Sequence, residues 1–130
     1  IGDCSQAITL KPDYETAYIN RGSAYLALEQ FQNAADDFND GLKINPANAN
    51  AYNNRCVALK ELKNYEDALH DCSKAIVLNG NLDQAYLNRA TIYESIGKKD
   101  DAVMDYNNYL RFNPKAETVR QRMLKLMKED

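Results

Sequence analysis

The 130-residue sequence has no tryptophan, a single histidine, three cysteines and three prolines, and its apolar runs are only a few residues long. No stretch approaches the roughly 20 apolar residues that a helix needs to cross a bilayer, and no basic flank followed by an apolar segment opens the chain. Neither a membrane span nor a signal peptide is therefore expected. An excess of positive charge is missing too: sixteen Lys and Arg stand against nineteen Asp and Glu, for a net charge of -3. Affinity gained by neutralising phosphates is disfavoured, and nucleic acid is not an expected partner. The lone His70 stands at no usual zinc spacing from Cys4, Cys56 or Cys72, and these cysteines form an odd set without a CxxC pair. Neither a metal site nor a disulfide framework is expected, and no cofactor is implied. Three free thiols point to a reducing, intracellular and cytoplasmic setting. The chain begins at Ile1 without Met, which reads as a piece of a longer protein.

What is present is ordinary in amount and unusual in order. The composition, 45% hydrophobic and 27% charged, suits a packed chain rather than a collagen-like, disordered or mucin-like one. The length suits one structural unit and is too short for two ordinary domains with separate active sites. A shift of 34 residues superposes Ala17, Ala51 and Ala85; Tyr18, Tyr52 and Tyr86; Asn20, Asn54 and Asn88; Arg21, Arg55 and Arg89; and Ala34, Ala68 and Ala102. The same shift aligns Asp3, Asp37, Asp71 and Asp105, and carries Pro12 onto Pro46, Gly80 and Pro114. Such a period decides the architecture before local propensity does.

Each period holds two apolar stripes at helical spacing. Ala17, Tyr18, Ala24, Tyr25 and Leu28 mark one helix, and Phe31, Ala34, Ala35, Phe38 and Leu42 a second. Asn45-Pro46 and Asn113-Pro114 stop a hairpin because Pro lacks an N–H and disfavours helical backbone in the residue before it. Asn79-Gly80 is expected to stop the middle one as a glycine C-cap, and Asn64, ahead of Asp67, to act as an N-cap. Small residues, Gly22, Cys56 and Ala90 in first helices and Ala34, Ala68 and Ala102 in second ones, specify close antiparallel packing. One such hairpin cannot bury its apolar face alone, so the units stack: an all-α solenoid of antiparallel helical hairpins is expected.

These residues resemble the tetratricopeptide repeat family. With Pro46 closing a unit, Tyr18 takes the family's Trp position, Gly22 the small-residue position, Tyr25 the next aromatic, Ala34 the Ala, Phe38 the aromatic and Pro46 the Pro. The likeness spans nearly the whole chain and implies a right-handed superhelix. Three full units are expected at 15–48, 49–82 and 83–116, preceded over 1–14 by the second helix of a truncated repeat and followed over 117–130 by a C-terminal capping helix. Arg21, Arg55 and Arg89 depart from the family's Leu, Lys99 from an aromatic, and Tyr109 from a small residue. Tyr109 is expected to meet the last helix, with Val119, Met123, Leu124 and Met127 as its apolar face and Arg120, Arg122, Lys125 and Lys128 in water.

No nucleophile, general base or metal constellation emerges, and the chain does not read as an enzyme. His70 lies beside the apolar stripe of its helix and reads as solvent-facing; the cysteines read as small buried hydrophobes. The paired acids Asp36-Asp37 and Asp100-Asp101 fit solvated faces or helix starts, since adjacent helical residues point apart. The repeated Arg and Asp are expected to form bidentate pairs joining helices, within one hairpin or between neighbours.

The face lined by first helices is the expected binding surface. Asn20, Asn54 and Asn88 form a row on it, and an amide, both donor and acceptor, can pair with the backbone of an extended peptide. The resemblance implies the same, since Asn at this position lines the groove of several peptide-binding members. Beside the row lie Ile19, Ser23, Asn50, Asn53, Val57, Gln84, Leu87 and Thr91, with Thr16, Leu26, Lys60 and Glu94. The expected function is a protein-interaction scaffold binding an extended segment of a partner protein. Family co-chaperones that hold the acidic tails of heat-shock chaperones use a clamp of Lys, Asn, Asn, Lys and Arg. Those positions fall here on Ile19, Ser23, Asn54, Gln84 and Asn88, and only Asn54 matches, which ranks that reading second. Two others stay open: a targeting or regulatory segment of a larger enzyme, and self-association through the open N-terminal repeat.

Overall fold

The computed structural model describes residues 15–128, which form seven α-helices with no strand among them. We number them α1 (Glu15–Ala27), α2 (Phe31–Ile44), α3 (Ala49–Glu61), α4 (Tyr65–Leu78), α5 (Asp83–Ser95), α6 (Lys99–Phe112) and α7 (Glu117–Lys128). The truncated repeat expected over 1–14, with Asp3, Cys4, Pro12 and the open N-terminal face, lies outside the described residues.

The turn inside each hairpin repeats at the period of the sequence. Glu29 (φ 60°), Lys63 (φ 64°) and Gly97 (φ 82°) occupy left-handed backbone at equivalent positions. Each turn closes with the same pair of bonds, as Gln30 N–H donates to the Tyr25 carbonyl and Glu29 N–H to that of Leu26. This is a Schellman closure, which glycine enters freely and an L side chain enters at about 1 kcal/mol. Only the third turn has the glycine.

Between hairpins Asn45 before Pro46 leaves helical backbone as expected, whereas the glycine stop works differently. Gly80 is not in the left-handed region; Asn79 ends α4 with extended backbone (φ -149°, ψ 94°), as Asn45 ends α2 (φ -135°, ψ 90°). Asn45 Oδ1 accepts from Ala47 N–H and Asn79 Oδ1 from Asn81 N–H, both at 3.1 Å. An Asx turn thus serves both junctions, and Pro and Gly are interchangeable after it. Asn64 does stand at the N-cap of α4, but its amide donates to Asp67 Oδ2 at 2.9 Å instead of accepting from backbone. The side chain that caps in the expected way is Asn48, whose Oδ1 accepts from Ala51 N–H at 3.0 Å.

Helices pack within hairpins α1–α2, α3–α4 and α5–α6, and each hairpin packs on the next. Three buried clusters follow at the repeat step: Ala34, Ala35 and Phe38 with Ala58; Cys56, Ala68 and Cys72 with Ile92; Ala90, Ala102 and Tyr106 with Leu126. The last member of each comes from the following helix, and Ala58, Ile92 and Leu126 are themselves one period apart. Helix α7 therefore seals the third hairpin as the first helix of another unit would.

This corrects the reading of the last helix. Its buried anchor is Leu126, flanked by half-buried Val119 and Met123, while Leu124 and Met127 are exposed. The aromatic in that core is Tyr106, whereas Tyr109 is half-buried on α6. The cysteines need a second correction: Cys56 and Cys72 are fully buried as expected but joined as a disulfide, with Cα atoms 5.5 Å apart. The intracellular reading rested on free thiols, and this bond removes two of the three. No described helix is long and apolar enough to cross a membrane.

The Arg and Asp repeats form bidentate pairs inside each hairpin. Arg21 Nε and Nη2 donate to Asp37 Oδ2 and Oδ1 at 2.7 and 2.6 Å; Arg55 does the same to Asp71 at 2.7 and 2.7 Å, and Arg89 to Asp105 at 2.6 and 2.9 Å. The hydrogen bond to its carboxylate raises each guanidinium's already high pKa, against the opposing effect of burial. The third nitrogen reaches backwards: Arg55 Nη1 donates to Asn39 Oδ1 at 2.6 Å, and Arg89 Nη1 to Ser73 Oγ at 3.2 Å. One side chain thus fixes its own hairpin and its register on the previous one. Each guanidinium also lies 5.5–6.0 Å from a tyrosine ring centre: Tyr25, Tyr52, and both Tyr86 and Tyr93.

Candidate functional site

The first helices α1, α3 and α5 lie side by side, α3 touching both of the others. Helical periodicity sets which of their residues remain accessible, because Ala17, Ala51 and Ala85 are buried. Asn20, Ser23, Asn50 and Gln84 are exposed, while Asn54, Val57, Leu87, Asn88 and Thr91 are half-buried.

Two residues placed beside the row do something else. Asn53 is buried, and its Oδ1 accepts from Asn88 Nδ2 at 2.9 Å, so part of the row's hydrogen-bonding capacity links α5 to α3. Ile19 is half-buried against the first core cluster, and a Cβ placed on Gly41 would come within 2.5 Å of its Cδ1. A second link crosses the same seam: Lys60 Nζ donates to Thr91 Oγ1 at 3.4 Å, and that hydroxyl donates to the Asn88 carbonyl at 2.8 Å.

Toward α7 the face deepens into a cavity of about 450 Å³ lined by Leu87, Thr91, Glu94, Tyr106, Val119 and Arg122, among others. Arg122, exposed as expected, lies one period after Asn88, so the row Asn20, Asn54 and Asn88 continues into a cation that also pairs with Glu94. Its Nε donates to Glu94 Oε1 at 2.9 Å and its Nη2 to Oε2, while Tyr106 OH donates to Glu94 Oε1 at 2.7 Å. Burial alone would raise the Glu94 carboxyl, but the hydrogen bonds from Arg122 and Tyr106 outweigh it and hold it below its ordinary range. Burial first, and then the bond to Glu94, pushes Tyr106 up to about 12.

A pH dependence follows. The depressed Glu94 pKa stabilises the docking of α7 fully above the unfolded carboxyl's value, near 4.5, and that contribution disappears as pH falls through the folded value. Because Arg122 is largely exposed, screening limits the effect to about 0.5–1 kcal/mol. Thermal melts of the native chain and Glu94→Gln are expected to differ at pH 7 and to converge as the pH falls through the lowered range of the folded carboxyl.

Among the described residues no group of three or more His, Cys, Asp or Glu is placed to hold a metal ion. His70 is exposed, with Nδ1 3.9 Å from Asp71 Oδ1, a carboxylate oxygen already engaged by Arg55.

The repeat models of known families match this geometry over residues 16–48, 49–82 and 83–115, all described as tetratricopeptide repeat. The chain belongs to the tetratricopeptide repeat family. Among curated proteins none matches it. Solved tetratricopeptide structures superpose on the array closely. An Arabidopsis OM64 TPR domain is 30% identical with a TM-score of 0.84, covering 88% of this chain and 94% of that one. The second TPR domain of human RPAP3, in complex with the HSP70 peptide SGPTIEEVD, is 27% identical with a TM-score of 0.79, covering 86% and 93%. The second TPR of Spaghetti (RPAP3), bound to the HSP90 peptide SRMEEVD, is 28% identical with a TM-score of 0.73, covering 75% and 91%.

Proposed function

We propose that this tetratricopeptide array is a protein-interaction scaffold that holds an extended segment of a partner along α1, α3 and α5. The observation that carries the reading is the row Asn20, Asn54 and Asn88 on that face, continued by Arg122. A peptide backbone offers a donor and an acceptor at each residue, and side-chain amides answer both without selecting the guest's sequence. The cavity between α5 and α7 adds selectivity: Leu87 and Val119 suit an apolar guest side chain, with the Glu94–Arg122 pair beside it. Because the helices are ordered before binding, little entropy is lost on their side, and micromolar affinity for a short segment is a reasonable scale. No catalytic step is assigned to the chain.

A second reading, docking of a heat-shock chaperone tail, is favoured by the peptides bound to the RPAP3 domains. Ile19, Gln84 and Asn88 stand against it, because none places a cation where that clamp needs one, and Ser23 stands in place of one of its Asn residues. A peptide array probed with this chain, with hits measured by calorimetry, separates the two. Asn54→Ala is expected to weaken captured peptides about tenfold, the worth of one or two lost hydrogen bonds, with unchanged circular dichroism. Binding unaltered by the combined Asn20→Ala, Asn54→Ala and Asn88→Ala changes rejects the first reading. Selective capture of SRMEEVD, abolished by amidating its terminal carboxylate, supports the second.

A further inference from the structure

The three hairpins solve one packing problem in two ways. Where first and second helix meet, the outer hairpins set an aromatic ring against a small residue: Phe38 over Gly22, and Tyr106 in one cluster with Ala90. The fit is tight, since a Cβ on Gly22 would lie 2.7 Å from Phe38 Cε1. The middle hairpin carries Cys56 and Cys72 at these positions, joined to each other and fully buried. A covalent bond stands there in place of a ring, and the largest buried side chain of that cluster, Ile92, belongs to the next hairpin.

We propose that Cys56 and Cys72 form a reversible thiol–disulfide site that locks the middle hairpin when oxidised and loosens it when reduced. Two unbonded sulfurs must move apart to van der Waals contact, so the reduced hairpin opens, and it has no ring to fill the space released. The position makes the effect more than local. Helix α3 touches α1, α2, α4 and α5, so both outer hairpins rest on this one, and an array of nearest-neighbour contacts is weakest where its middle unit is loosened. The chemistry is exchange with a low-molecular-weight disulfide such as oxidised glutathione. One cysteine thiolate attacks it, expelling a thiolate, and the second cysteine then displaces the other half from the mixed disulfide. Two protein thiols give up two electrons and two protons, and the oxidant leaves as two thiols. A dithiol reductant reverses both steps. Since both sulfurs are buried, exchange proceeds only through opening of the α3–α4 hairpin, so its rate reports that opening.

The test uses the whole chain and no peptide, so its outcome is independent of the binding proposal. After incubation with oxidised glutathione, alkylation and mass spectrometry are expected to find Cys56 and Cys72 protected. After reduction with dithiothreitol both are alkylated. The reduced form is expected to melt about 10 °C lower, as for a bond closing a loop of this length, and to exchange α3 and α4 amides about 100-fold faster, while reoxidation restores both. The double change Cys56→Ala and Cys72→Tyr, which copies the third hairpin, is expected to melt near the oxidised form and to ignore dithiothreitol. Free Cys56 and Cys72 after oxidation, or coincident melts of the oxidised and reduced forms, overturn the proposal. So does a reductant-dependent melt that persists in the double variant.

Discussion

Arg55→Ala is expected to destabilise the chain by about 3–5 kcal/mol, more than removal of its partner by Asp71→Ala, at about 1.5–3 kcal/mol. The asymmetry comes from burial. The Asp71 side chain is 3% exposed and that of Arg55 21%. Without Arg55, a carboxylate is left dry, the bond to Asn39 on the previous hairpin is lost, and the contact with Tyr52 disappears. Without Asp71, the guanidinium still reaches water. Urea unfolding of both single variants and of the pair Arg55→Met with Asp71→Leu checks this. The double change is expected to recover most of the loss, because an apolar pair of similar volume carries no desolvation cost. What it should not recover is register, since the arm of Arg55 that crosses to Asn39 has no apolar counterpart.

Phe38→Ala is expected to cost about 3–5 kcal/mol, the usual range for emptying a fully buried aromatic site. Phe38 has no solvent exposure and anchors the first cluster with Ala34, Ala35 and Ala58. The neighbouring change Gly22→Ala is expected to cost about 1–3 kcal/mol for the opposite reason, an added methyl driven into the Phe38 ring. Because the two faults occupy one space, they should not add: Gly22→Ala combined with Phe38→Leu is expected to be more stable than the sum of the two single losses. Thermal melts of the three variants decide it. An additive result would show that the ring and Gly22 are not in contact.

Much of this architecture was legible because the period is a property of the chain. Ala34, Ala68 and Ala102 recur where helices approach, and Arg21, Arg55 and Arg89 recur with Asp37, Asp71 and Asp105, so the hairpins and the presence of Arg–Asp pairs are legible in the chain, while the hairpin that each arginine grips is not. The continuation to Arg122 and Leu126 is equally present in the period, although the amphipathic pattern of α7 taken alone does not show it. Other features left no such trace. Glu29 and Lys63 bear left-handed backbone that their residue types disfavour, because the Schellman closure outweighs a local preference. Asn53, beside the row in sequence, is consumed by Asn88 from the next hairpin.

The sequence by itself determined the kind of object this is: a stack of helical hairpins in fixed register, with a row of amides along the first helices. The structure alone decided how side chains that are distant in sequence share space. It turned Cys56 and Cys72 into a bond and chose which hairpin each arginine grips. It also placed Arg122 and Glu94 together in the lining of a cavity. The reason is physical: apolar spacing and turn chemistry act over a few residues and are repeated along the chain. Contacts across sixteen or more residues depend instead on the distance and angle at which finished helices meet, which no single stretch of sequence encodes.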